Sequence, residues 1–171
     1  LAYGSNVFRG CQDPTVQQNF DTDAYLGLWY EQRRDKDVAY ESGVCTTATY
    51  SYRDDGDIRV LNNDYQEDDA KWGGGEGHAW VVDPSKDEGY LKVKFVFLQP
   101  AGDYKVLETD YENYTVLYTC TGIPHLYNIE YVWILTRDIH PSDEVMEHAL
   151  SVIKEKVPEY DMSALATTPQ G

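Results

Sequence analysis

Between residues 27 and 137 the chain alternates, again and again, between strand-like runs and short turn signals. Runs at 27–34, 44–53, 57–65, 74–82, 89–98, 103–110, 113–121 and 128–137 are rich in Tyr, Val, Thr and Phe. Such residues suit a pleated, half-buried surface. The separators carry turn chemistry: Asp54-Asp55-Gly56-Asp57, Asp83-Pro84-Ser85, Pro100-Ala101-Gly102-Asp103 and Asp110-Tyr111-Glu112-Asn113. Eight short strands at near-even spacing predict an all-β domain, an up-and-down barrel or a sandwich. The period then changes. Pro141-Ser142-Asp143-Glu144 reads as a helix start, and Val145, Met146, Ala149, Leu150, Ile153 and Val157 recur at helical spacing before Pro158. That predicts one amphipathic helix over residues 141–157, its apolar stripe buried against the outside of the sheet. The expected organisation is a single domain: a polar N-terminal arm (1–22), strands over 23–137, the helix, and a loose tail (158–171).

A Trp at the start of the first run and an Arg at the end of the last suggest how a closed sheet could be sealed. The Arg137 guanidinium can stack on the Trp29 indole and hydrogen-bond nearby carbonyls.

Composition narrows the partners. The net charge of −16, from 30 acidic and 14 basic residues, argues against nucleic acid or an anionic membrane surface, both of which need clustered Lys and Arg. No stretch approaches the roughly 20 apolar residues of a membrane span. Residues 1–3, Leu-Ala-Tyr, have neither a basic nor an apolar leader region, so a secretory signal is expected to have been removed. Cys11, Cys45 and Cys120 match no metal or redox spacing, and the histidines are not at ligand spacing, so no metal site is expected. One disulfide plus one odd thiol fits an exported protein, and the Asn113-Tyr114-Thr115 sequon makes Asn113 a glycosylation candidate.

Three segments resemble, in order, the signature regions of the lipocalin family: Gly27-Leu28-Trp29-Tyr30, Glu108-Thr109-Asp110-Tyr111-Glu112-Asn113-Tyr114, and Trp133-Ile134-Leu135-Thr136-Arg137. With one helix after the strands, the resemblance spans about residues 8–163. It is strongest toward the apolipoprotein D-like, insect bilin-binding and crustacyanin-like branch. It implies an eight-stranded antiparallel up-and-down barrel with one helix packed outside, and a structural role for Gly27, Trp29, Thr109, Asp110, Tyr111 and Arg137. It also implies a Cys11–Cys120 disulfide. Cys45 matches a cysteine whose usual partner lies in the C-terminal tail, which here has none, leaving it free, bonded to another chain or bonded to a ligand.

Parity carried over from the relatives points Asn62, Asp64, Phe95, Phe97, Tyr104, Leu117, Thr119, Ile129, Tyr131 and Trp133 into the barrel, as candidate ligand-binding residues. Gly73, Gly75, Gly77 and Ala79 form a wall of small residues, either room for a ring or the bend of a closing barrel. His125 near the open end, and Arg33, Arg34 and Lys36 beyond strand A, are candidate polar contacts. The implied function is a secreted carrier of a small hydrophobic ligand, without catalysis or catalytic cofactor. The branch favours a pigment chromophore, biliverdin or a carotenoid such as astaxanthin. A colourless lipid, sterol or retinoid is the alternative, followed by a thiol-dependent isomerase using Cys45. Crustacyanin-like relatives also imply a homo- or hetero-oligomer as a candidate assembly.

Overall fold

A computed structural model describes residues 10–38, 41–95, 98–123 and 127–171, with backbone alone for 98–100, 123 and 127. Phe97 and His125 lie outside the described residues. Eight antiparallel strands follow one another around a closed barrel: β1 (Gly27–Asp35), β2 (Val44–Tyr52), β3 (Ile58–Gln66), β4 (Lys71–Val81), β5 (Tyr90–Phe95), β6 (Leu98–Thr109), β7 (Tyr114–Ile123) and β8 (Tyr127–Thr136). β1 pairs with β2 along Gly27–Tyr30 and with β8 along Tyr30–Arg34, which closes the sheet into a barrel.

Alternation along the strands divides the side chains between two cores. Inside lie Trp29, Tyr50, Val60, Leu91, Phe95 and Leu117, among others. Outside, Leu107, Val116, Tyr118, Val132 and Ile134 pack against Ala149, Val152, Ile153 and Val157. The last four belong to or directly follow helix α2 (Asp143–Lys156). Ser142 caps it, accepting from Val145 N, with Asp143 and Glu144 in the first turn and Lys154 and Lys156 in the last.

The N-terminal arm crosses the closed end. Gln17 exchanges backbone bonds with Val106 and Gly89, and Cys11 is disulfide-bonded to Cys120 of β7. A one-turn helix, α1 (Thr22–Tyr25), then places Tyr25 and Trp29 in the floor of the barrel.

Two expectations are corrected. Residues 100–103 lie within β6 rather than in a turn, with Gly102 opposite Val93 and Asp103 opposite Lys92; Pro and Gly are tolerated there because the ladder is irregular at this end. The tail is not loose. Leu165–Thr167 form β9 on the edge of β1, Thr168 is 2% exposed, and the Gln170 side chain donates to the carbonyls of Glu31 and Thr46 at 2.7 and 2.9 Å. Three residues are too short a run for periodicity to reveal.

Candidate functional site

The closed end explains the three signature segments. Arg137 lays its guanidinium 3.7 Å above the Trp29 ring. Its nitrogens donate to the carbonyls of Tyr111 (2.9 Å), Leu28 (2.8 Å), Ala24 (3.1 Å), Tyr25 (3.2 Å) and Leu26 (2.9 Å). Only a planar fork reaches so many acceptors at once. Gly27 has φ of +104°, and a Cβ there would sit 3.2 Å from Arg137 Nη1, so the position demands glycine. Asp110 accepts backbone bonds from Glu112, Asn113 and Tyr114, and Thr109 Oγ1 donates to the Tyr114 carbonyl, fixing the loop that presents Tyr111 to Arg137. Asn113 is exposed, its amide nitrogen 2.6 Å from Asp110 Oδ2.

Above Trp29 a network of hydroxyls forms the floor of a cavity. Tyr25 and Tyr104 share a bond of 2.6 Å, Tyr50 and Tyr104 one of 2.8 Å, and Tyr25 reaches Thr115 at 3.1 Å. Burial pushes the Tyr25 hydroxyl up to about 12 and holds those of Tyr50 and Tyr104 well above 10, so all three are neutral donors and acceptors.

The cavity has a volume of about 350 Å³. Ala48, Val60, Val93, Phe95, Leu117 and Leu135 form its middle, and Glu31, Glu41, Asn62, Asp64, Gln66 and Thr119 its polar upper part. Of the residues expected here, Asn62, Asp64, Phe95, Tyr104, Leu117, Thr119 and Trp133 line the cavity. Ile129 and Tyr131 share the face of Trp133 but are not among the lining residues. Instead, the Tyr131 hydroxyl donates to the Asp37 carbonyl at 3.2 Å, and its ring meets that of Trp133. Alternation fixes the face of a residue, not its depth. Gly73 and Gly75 line the wall, whereas Gly77 serves packing: a Cβ there would lie 2.6 Å from the Phe95 ring.

Glu31 and Glu41 were not foreseen as lining residues. Glu31 is 2% exposed. Its carboxyl is held well above the usual carboxylate range, first by burial and then by the neighbouring Glu41. Arg34 Nη1 stands 3.3 Å from Glu31 Oε2, the Thr168 hydroxyl donates to the same oxygen at 2.7 Å, and the Trp133 indole donates to Glu41 at 3.1 Å. Arg33 bonds the Gln32 carbonyl and Lys36 pairs with Asp37, so Arg34 alone of that basic group meets the cavity acids. An acid on a strand looks solvent-bound from sequence; the tail that covers Glu31 supplied no signal.

Cys45 is not among the lining residues. Its backbone N–H donates to the Pro169 carbonyl at 2.8 Å, and its thiol sits beside Gly171. Elsewhere, Asp55, Asp57 and His78 gather ligand-type atoms at the surface. They are engaged already, Asp57 by His78 at 2.7 Å and Asp55 by Arg53 at 3.3 Å.

Residues 20–170 match the family profile described as Lipocalin-like domain. Apolipoprotein D of Cavia porcellus is 36% identical over 148 residues, 85% of this chain and 76% of that protein. Insecticyanin from the tobacco hornworm Manduca sexta superposes with a TM-score of 0.81 at 25% identity, covering 96% of this chain and 89% of the other. Lobster apocrustacyanin A1 gives 0.79 at 21% identity, over 98% and 92%.

Proposed function

The chain belongs to the lipocalin family, and we propose that its barrel carries a small hydrophobic molecule, held by burial and a few polar contacts, without chemical conversion. The observation that supports this best is the cavity itself: apolar and aromatic walls, a floor of neutral hydroxyls, and acids and amides toward the other end. In this reading Asn62, Asp64, Phe95, Tyr104, Leu117, Thr119 and Trp133 contact the cargo. A thiol-dependent reaction would need Cys45 at the cavity, and it lies beside the C-terminal tail.

For the cargo, similarity to apolipoprotein D favours a colourless lipid-like molecule. Likeness to insecticyanin and to the bilin-binding and crustacyanin-like branch favours a pigment, biliverdin or a carotenoid, and with it assembly into oligomers. Secretion, supported by the Cys11–Cys120 disulfide, and glycosylation at exposed Asn113 belong to the same reading. The test is protein isolated from its native source, with its visible absorbance recorded and its organic extract analysed by mass spectrometry. A visible band that leaves with the extract selects the pigment, and a colourless extracted lipid selects the alternative. Delipidated protein that binds no hydrophobic probe saturably would sink the carrier reading.

A further inference from the structure

A cavity that held its cargo by apolar contact alone would gain nothing from Glu31. Burying a carboxylate costs several kcal/mol unless its charge is compensated. β1 nevertheless turns it inward. Glu31 pairs with Leu135 and Arg34 with Trp133, two lining residues, while Arg33 pairs with Ile134 of the outer core. A bulge at Gln32 thus puts Arg34 on the same face as Glu31. The second guanidinium nitrogen of Arg34 donates to the Gly43 carbonyl at 3.0 Å, which pins it beside the acids rather than in the cavity.

The charges balance in one particular way. Burial and the neighbouring Glu41 both favour the protonated form of Glu31, and the Arg34 guanidinium lies 3.3 Å from its carboxyl. The other titratable groups on this face come from the adjoining strands. Tyr50 of β2 is neutral, and Asp64 of β3 accepts from the Gln66 amide at 2.7 Å. Asp103 of β6, also in the lining, is paired with Lys92. Among the described lining residues there are four acids, Glu31, Glu41, Asp64 and Asp103, and no Lys or Arg. The charged part of the lining is therefore acidic, and the one guanidinium beside it is held by Glu31 and the Gly43 carbonyl.

We propose that the cargo of this cavity is a hydrophobic amine, its apolar body between Val60, Phe95 and Leu117 and its ammonium group seated on Glu31 and Glu41 beside the Trp133 indole. This rests on the barrel being a hydrophobic carrier and narrows the cargo to a cationic one. The exchange balances: the ammonium brings one positive charge and the proton that burial favours on Glu31 leaves to solvent, so the net charge of the site is unchanged. A carboxylate with the same tail adds a negative charge to an already acidic site. The arrangement thus disfavours cargoes with free carboxylates, biliverdin included.

Delipidated protein titrated calorimetrically at pH 7 with dodecylamine, dodecanol and dodecanoate tests this, in two buffers of different ionisation enthalpy. Dodecylamine should bind roughly tenfold or more tightly than dodecanoate, with a net release of protons. Glu31→Gln should abolish the release and the preference, and so should Glu41→Gln at the half-buried rim, where folding is less at stake. Dodecanoate binding as tightly as dodecylamine, or amine binding without proton release, overturns the proposal. Failure of all three ligands to bind would instead refute the carrier reading on which it rests.

Discussion

Trp29→Ala separates the two ends of the barrel. Trp29 has no exposed surface, packs against Tyr25 at a ring distance of 5.4 Å, and lies 3.7 Å beneath the Arg137 guanidinium. Truncating a buried aromatic of this size costs roughly 3–5 kcal/mol, and losing the cation–π contact adds about 0.5–2 kcal/mol. The Tyr25 carbonyl that accepts from the indole keeps Arg137 as a donor at 3.2 Å, so no orphaned acceptor adds to the cost. A loss of about 3.5–7 kcal/mol in a chain of this length lowers the melting temperature by roughly 7–28 °C. Urea unfolding should show a reduced midpoint at unchanged slope. Affinity for a hydrophobic probe, measured well below the variant's melting point, should change little, since Trp29 is not among the lining residues. Arg137→Lys should lose most of the same stability, because an ammonium cannot reach five carbonyls in different directions. Unchanged melting with lost binding would refute the reasoning, since it would make Trp29 a contact of the cargo.

Gly77→Ala should push the Phe95 ring, 2.6 Å from the new Cβ, toward the cavity. It should cost about 1–3 kcal/mol by denaturation and weaken binding of bulky probes more than slender ones. Cys11→Ala with Cys120→Ala removes a bond spanning 109 residues and should cost roughly 2–5 kcal/mol, read as a lower urea midpoint that reducing agent no longer shifts. The raised Glu31 carboxyl contributes stability that is full below the ordinary 4.5 and lost as pH rises through its value in the fold. Glu31→Gln copies the protonated form, so its melting temperature should fall less than the wild type's as pH is raised from about 4 to about 8; parallel curves would show that Glu31 does not titrate in the folded protein.

The barrel was legible because its physics is repetitive. Each of the eight expected strands overlaps an observed one, though β6 begins at Leu98 rather than at 103; alternating burial is plain in β2, Val44–Tyr52. The helix was equally plain, its stripe ending at Val157, which has no exposed surface. What sequence hid was pairing without periodicity: β9 exists because Leu165–Thr167 find the free side of β1, and Thr168 is buried because Glu31 offers it an acceptor. In the site, alternation placed Asn62, Asp64, Phe95 and Thr119 at the cavity, but it could not tell that Tyr131 lies beyond its lining, tied to Asp37.

Strict alternation from Trp29 would turn Glu31 and Arg33 inward and Arg34 outward. Glu31 would then share its face with Arg33 rather than with Arg34. One extra residue, Gln32, reverses this and is itself satisfied by Thr136 Oγ1 and the Ile139 carbonyl, both at 3.0 Å. β1 therefore carries both ends of the molecule. Gly27 and Trp29 build the seal under Arg137, and past the bulge Glu31 and Arg34 set the charge that a ligand meets. The signature that reveals the fold ends at Tyr30, immediately before the residues that select the cargo. A chain could keep the first half of this strand, and so the barrel, while the second half is free to change what the barrel holds.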